Sequence, residues 1–423
     1  MFYKKEKTAM RLRLTSILLL AMVAAHAQTG HWVVTWGTAE SLLRPQPPNN
    51  PQAQQAPGAA GFNNQTVRMI ARTSIGGQRL RIKVENAFGA QPVTIGAAHI
   101  ALRAKDSEIV AGSDRAITFN GRAGCILSPG VERVSDPVDL KVPALADLAV
   151  SLYFPVETGP PTNHGTGLHT TYISKEGDST GQPALADATT SLSYYYLAAI
   201  DVEAPADARA LVTFGDSITD GTASTPNSNH SWPALLAARL AKNKKTGTIG
   251  VANMGISGNR MLYDGSGANA LARFDRDVLS QSGVQWVMLM EAINDIGRVG
   301  TPTPEAPTAD DLIAAYRQFI DMAHTHGIKV IGCTLTPYEG AGYARDAGEA
   351  VREAVNTFIR TGGAFDAVVD FDAATRDSAD PKRIRAAFDP GDHLHPNDAG
   401  YAAMADAIDL SIFGVRLAAT AAR

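Results

Sequence analysis

The run Leu211-Val212-Thr213-Phe214 stops abruptly at Gly215-Asp216-Ser217. A short apolar, β-branched segment that ends this way predicts a buried parallel strand delivering a side chain at its carboxyl end. Gly215 lets the backbone turn there without a Cβ clash. Ser217 then stands at the strand exit, where open α/β sheets bind ligands. A serine hydroxyl alone is a weak nucleophile. It needs a histidine to take its proton and a carboxylate to orient that histidine. Taken by itself, the triplet is equally well an ordinary strand-to-helix turn with a helix cap, so the other parts must be found elsewhere in the chain.

From residue 204 onward the pattern alternates. Strands are expected at 210–214, 247–253, 285–290, 329–335 and 367–371, and helices at 231–242, 269–280, 309–325, 345–360 and from 397. Such alternation predicts right-handed βαβ units, and hence a three-layer, flavodoxin-like α/β domain with a parallel sheet over 204–423. Trp232 and Phe274 fall in helical stretches and are expected in the core. Residues 28–203 read differently. Short alternating segments such as 80–84, 116–119, 138–142 and 147–154, punctuated by Gly and Pro, predict an antiparallel β-sandwich. No dense aromatic platform marks it as a glycan binder, so bracing is its expected role. The stretch 45–61, rich in Pro, Gln, Asn and Ala, reads as a mobile exposed loop.

The N-terminal residues are read as a leader. Lys4, Lys5, Lys7, Arg11 and Arg13 precede an apolar stretch at 14–25, and Ala25-His26-Ala27 fits a small-x-small cleavage site. Residues 1–27 are thus expected to be a signal peptide, with export to the periplasm or medium and no stable membrane insertion after cleavage. An uncleaved anchor is the alternative, but the apolar run is short for a bilayer. A formal net charge of −4, without a basic block, argues against nucleic acid as a partner. Two cysteines, Cys125 and Cys333, are too few for a disulfide scaffold and read as buried free thiols.

A base and its orienter are expected in Asp392-His393-Leu394-His395-Pro396-Asn397. Asn397 is suited to cap the following helix. The three-residue spacing of Asp392 and His395 lets the carboxylate hold one ring nitrogen while the other faces Ser217. His393 is the competing histidine and Asp389 the competing orienter. Two histidines among acids also allow a metal site, but no cysteine or further histidine joins them, and none is expected. Attack on an ester places negative charge on the carbonyl oxygen, which needs preorganised donors. The Ser217 N–H, Gly258 after the second strand and the Asn294 side chain after the third all fall at strand carboxyl ends.

In this order, Gly-Asp-Ser, a later Gly, Asn294-Asp295 and Asp-x-x-His resemble the SGNH (GDSL) hydrolases over the C-terminal half of the chain. The resemblance implies Ser217 as nucleophile, His395 as base, Asp392 as its orienter, and Gly258 and Asn294 as oxyanion donors. It also implies that no cofactor is used. Ala292 departs from the family pattern, which has glycine two residues before the Asn; its methyl group is expected to narrow the pocket without removing the Asn294 amide. The N-terminal β region looks like the extra domain of some larger secreted members.

The expected function is a secreted serine ester hydrolase acting through an acyl-enzyme on a small-molecule or polysaccharide ester, with carbohydrate deacetylation as one outcome. The alternatives are a carbohydrate-binding or surface protein with an inactive hydrolase-like domain, and a lipase, thioesterase or peptidase of the same fold.

Overall fold

The computed structural model describes residues 31–41 and 56–414. The leader expected at 1–27, and the part of the expected loop at 45–55, lie outside the described residues.

Arg209–Gly215 pairs in parallel with Ile249–Gly255 on one side and Val284–Met290 on the other, and Lys329–Cys333 and Ala367–Val369 extend the sheet beyond the latter. Numbered along the chain, the spatial order is 2-1-3-4-5. This is the flavodoxin-like order, whose switch point lies between the first and third strands. Ser217 and Asn294 follow those two strands. All five residues Ala210–Phe214 are fully buried, as expected of a central strand covered on both faces. Helices Trp232–Lys242, Ala309–Thr325, Asp346–Thr361 and Asp398–Asp406 accompany the sheet. Thr308 and Asp311 form a reciprocal capping box at the start of Ala309–Thr325. Trp232 and Phe274 are fully buried, the former against Phe371 and the latter against Phe319.

Two elements differ from the sequence reading. The expected helix at 269–280 is a turn followed by a π-helix at Asp275–Leu279, with the Ser280 N–H donating to Asp275 O. The wider turn accompanies an inward Asp277, whose carboxylate meets the buried Arg273 guanidinium at 2.8 Å. The fifth strand ends at Val369, because the Asp370 side chain caps a short helix, Phe371–Thr375, by accepting from the Ala373 N–H.

Before Arg209 the chain forms antiparallel sheets. One runs Trp32–Gly37, Leu197–Glu203, Gly77–Glu85, Val138–Val142. A second is centred on Gln65–Arg72, Asp147–Phe154 and Ala97–Lys105. Their buried side chains belong to the same hydrophobic core as those of the parallel sheet, and from Trp32 onward the chain is a single compact unit. The edge strand Ile249–Gly255 is covered by the β region. The Val34 N–H donates to Ser282 O at 2.9 Å and the Val251 N–H to Ser74 Oγ at 2.8 Å. A Cβ at Gly250 would strike Val34 O, so the approach is as close as glycine permits. An edge covered in this way is closed to pairing with another chain.

Both cysteines are free. Cys333 is buried in the fourth strand, whereas Cys125 is only half-buried; burial pushes the Cys125 thiol up to about 11 and the Cys333 thiol further still. Among the described residues no helix is long and apolar enough to cross a membrane.

Candidate active site

The first strand ends against a four-residue helix, Ser217–Asp220. Asp216 is its N-cap, with Oδ1 accepting from the Ile218 N–H at 2.9 Å. A Cβ at position 215 would collide with Met290 O and the Thr219 side chain, so glycine is needed there for space. Ser217 is 5% exposed.

His395 Nε2 lies 2.8 Å from Ser217 Oγ, and His395 Nδ1 lies 2.6 Å from Asp392 Oδ2. The other Asp392 oxygen accepts from the N–H groups of Leu394 and His395. Partial burial would raise the Asp392 carboxyl, but hydrogen bonds from the His395 ring and these two backbone groups outweigh it and hold the pKa below the usual range. Asn397 caps the next helix by accepting from the Ala399 and Gly400 N–H groups, which sets where the loop ends. His393 forms a pair of its own with Asp389, at 2.5 Å, and has no hydrogen bond to Ser217. The two histidines thus belong to separate carboxylates, and no three His, Cys, Asp or Glu side chains among the described residues are grouped to hold a metal ion.

Gly258 lies in a turn closed by the Asn259 N–H on Ile256 O, with φ +80°, and a side chain there would strike Ser266. Asn294 Nδ2 donates to Asn259 O at 2.9 Å, tying the side chain to the residue after Gly258. Each amide nitrogen has two hydrogens, so one remains for a substrate oxygen. Asp295 clamps the same loop by accepting from the Met261 and Leu262 N–H groups. Ala292 adopts φ +109°, which glycine tolerates and alanine does not favour. It is fully buried, so its methyl group strains the backbone rather than narrowing an open pocket.

Other contributors are not legible from motif spacing. Arg273 is 1% exposed and donates to Gly215 O, Met254 O, Asn259 Oδ1 and Asp277, tying the ends of two strands to the loop holding Gly258. Its guanidinium also stacks 3.6 Å from the Phe214 ring centroid. Beneath the Ser217 turn, burial raises the carboxyls of Asp216 to about 7 and Asp295 to about 6, and holds that of Glu291 well above its ordinary value. The only sequence hint was the Arg273–Asp277 spacing of four in a segment expected to be helical.

Residues 211–408 match the family model of GDSL-like lipases and acylhydrolases. Solved structures similar to this chain include an acetylxylan esterase from Geobacillus stearothermophilus, 24% identical, with a TM-score of 0.38 over 49% of this chain and 95% of that one. A GDSL-like lipase from Bacteroides thetaiotaomicron is 19% identical, with a TM-score of 0.37 over 49% of this chain and 88% of that one. A search of curated proteins returned no significant match. Residues 211–408 therefore form a domain of the GDSL-like lipase/acylhydrolase family, and the protein is a carboxylic ester hydrolase.

Proposed function

We propose that the protein is an exported serine esterase that removes small acyl groups, acetyl on carbohydrate foremost, through an acyl-enzyme. The observation that carries this reading is the continuous chain Ser217 Oγ, His395, Asp392, with both links at hydrogen-bond length. Ser217 Oγ attacks the ester carbonyl as its proton passes to His395 Nε2. Asp392 holds the imidazole tautomer and stabilises the imidazolium that forms. The Ser217 and Gly258 N–H groups and the Asn294 amide meet the developing oxyanion. Collapse breaks the ester C–O bond, and His395 returns the proton to the leaving alcohol. Water, deprotonated by the same ring, then attacks the acyl-enzyme and Ser217 leaves with its proton restored. No metal or cofactor enters any step.

Export follows from reading residues 1–27 as a cleaved leader. The carbohydrate substrate follows from that export together with the β region preceding the hydrolase domain.

The test is turnover of a p-nitrophenyl ester chain-length series and of acetylated glycans by mature protein and by Ser217→Ala. Activity is expected to be highest on acetyl esters, to be unaffected by EDTA and to fall by at least about 10⁴-fold in the variant. Near wild-type turnover by folded Ser217→Ala removes Ser217 as nucleophile. A preference for long acyl chains leaves the chemistry intact and removes the deacetylase reading.

A further inference from the structure

The β region reaches the end of the Ser217–Asp220 helix at a buried point. His164 and Asp220 are 3% and 4% exposed. His164 Nε2 lies 2.9 Å from Asp220 Oδ1, and His164 Nδ1 lies 2.6 Å from Ala39 O. A carbonyl oxygen only accepts, so Nδ1 carries a proton. The Asp220 carboxylate also accepts: its Oδ2 takes the Ser257 N–H at 3.0 Å and the Ser257 hydroxyl at 2.7 Å. The ring therefore donates from Nδ1 to a carbonyl and meets a carboxyl group at Nε2, a histidine–aspartate pair shut away from solvent.

Asp220 is the last residue of the helix that begins with Ser217. Ser257 immediately precedes Gly258, and their shared peptide carries the Gly258 N–H. Thr222 Oγ1 adds a further contact to Ser257 Oγ at 2.9 Å. Gly255, which ends the strand leading into this loop, lies against the helix so closely that a Cβ there would collide with the Asp220 backbone. One carboxylate thus joins the nucleophile helix to the loop that bears the proposed oxyanion donor, and a histidine from the preceding β region holds that carboxylate.

We propose that His164 is a positioning residue for ester hydrolysis, acting through Asp220 and Ser257 to aim the Gly258 N–H at the oxyanion. This rests on the assignment of Ser217 and Gly258 given above. Burial alone would favour the neutral ring, yet Asp220 and the Ala39 carbonyl outweigh it and raise the His164 pKa. The β region is therefore more than a brace. Through His164 it fixes the carboxylate that aligns a donor whose contribution grows as the transition state forms.

The distinction from a purely structural role lies in kcat per competent site. His164→Gln offers an amide that reaches only one of the two acceptors, and His164→Leu offers neither. Competent sites are counted by titration with a fluorophosphonate that labels the active serine, and kcat and KM are measured on p-nitrophenyl acetate. The expected result is a kcat per titrated site lowered about 10-fold in His164→Gln and about 10²-fold in His164→Leu, with KM changed less than about 3-fold. Adding Ser257→Ala to the His164 variant is expected to cost clearly less than Ser257→Ala costs alone, because both act on one chain of bonds.

A kcat per titrated site within about 2-fold of wild type, whatever the loss in Tm or in titratable sites, overturns the proposal, as does full additivity with Ser257→Ala. If His164→Leu does not fold, His164→Gln decides by the same criteria. Ser217→Ala separates the two levels. If it retains turnover, the underlying assignment fails; if it is inactive while the His164 variants keep full kcat, only the positioning role fails.

Discussion

Two histidine–aspartate pairs lie two residues apart in one loop, His393 with Asp389 and His395 with Asp392. Chemically they are alike, and only the reach of His395 Nε2 to Ser217 separates them. His395→Ala is accordingly expected to lower kcat on the order of 10⁴-fold and His393→Ala less than about 3-fold, both measured on folded protein. Comparable losses from the two substitutions would count against His395 as the base. Ala292 offers a second test at this scale. An alanine at φ +109° carries strain on the order of 1–3 kcal/mol, partly offset because glycine makes the unfolded chain more flexible. Ala292→Gly is expected to raise stability by about 1 kcal/mol in urea unfolding, and an unchanged or lower midpoint would show that the position is relaxed.

At the scale of elements, Ser217–Asp220 is too short to persist as an isolated helix. Its ends are fixed from outside. Asp216 caps it, Gly221 closes it at φ +110°, and the Asn253 amide donates to Thr219 O and Asp220 O. The Asp216 cap has a pH consequence. Burial pushes its folded pKa up to about 7, well above the ordinary 3.8 of an unfolded chain. The folded state therefore keeps a proton that the unfolded state releases. This group's favourable contribution is complete below about pH 4 and is lost as pH rises toward about 7. Asp216→Asn retains a capping oxygen and removes the titration. It is expected to flatten the fall of Tm across that interval, by an amount corresponding to at most about 4 kcal/mol, the linkage equivalent of that shift. An identical Tm–pH slope in the two proteins would mean that Asp216 is ionised throughout.

For the whole molecule, the covered edge strand, the buried His164–Asp220 pair and Arg81–Asp201, with Ser282 bonded to Asp201, join the β region to the α/β region through polar contacts as well as apolar ones. Neither region has a surface finished for life alone, since Val33 and Val34 on one side and Ala252 on the other are buried. Calorimetry of the protein without residues 1–27 is expected to give one transition in which calorimetric and van't Hoff enthalpies agree. Two resolved transitions would show that the regions unfold independently and that their contact contributes little.

Periodicity and glycine placement made the α/β half legible, because a strand buried on both faces must be apolar throughout and its exit must turn where no side chain fits. The helix at 309–325 was readable for the same kind of reason, since both its capping box and its apolar spacing are local. Asp392 and His395 were likewise readable, because three-residue spacing into a capped helix already brings the two side chains together. Arg273, Asp220 and His164 were not. Each acts on groups far along the chain, with 56 residues separating His164 from Asp220 and 58 separating Arg273 from Gly215, and no local pattern encodes which distant carbonyl or carboxylate a buried charge will meet. The π-turn at Asp275–Leu279 and the positive φ of Ala292 belong with them. Local propensity favoured a regular helix and a relaxed alanine, and the packing of the assembled molecule decided otherwise.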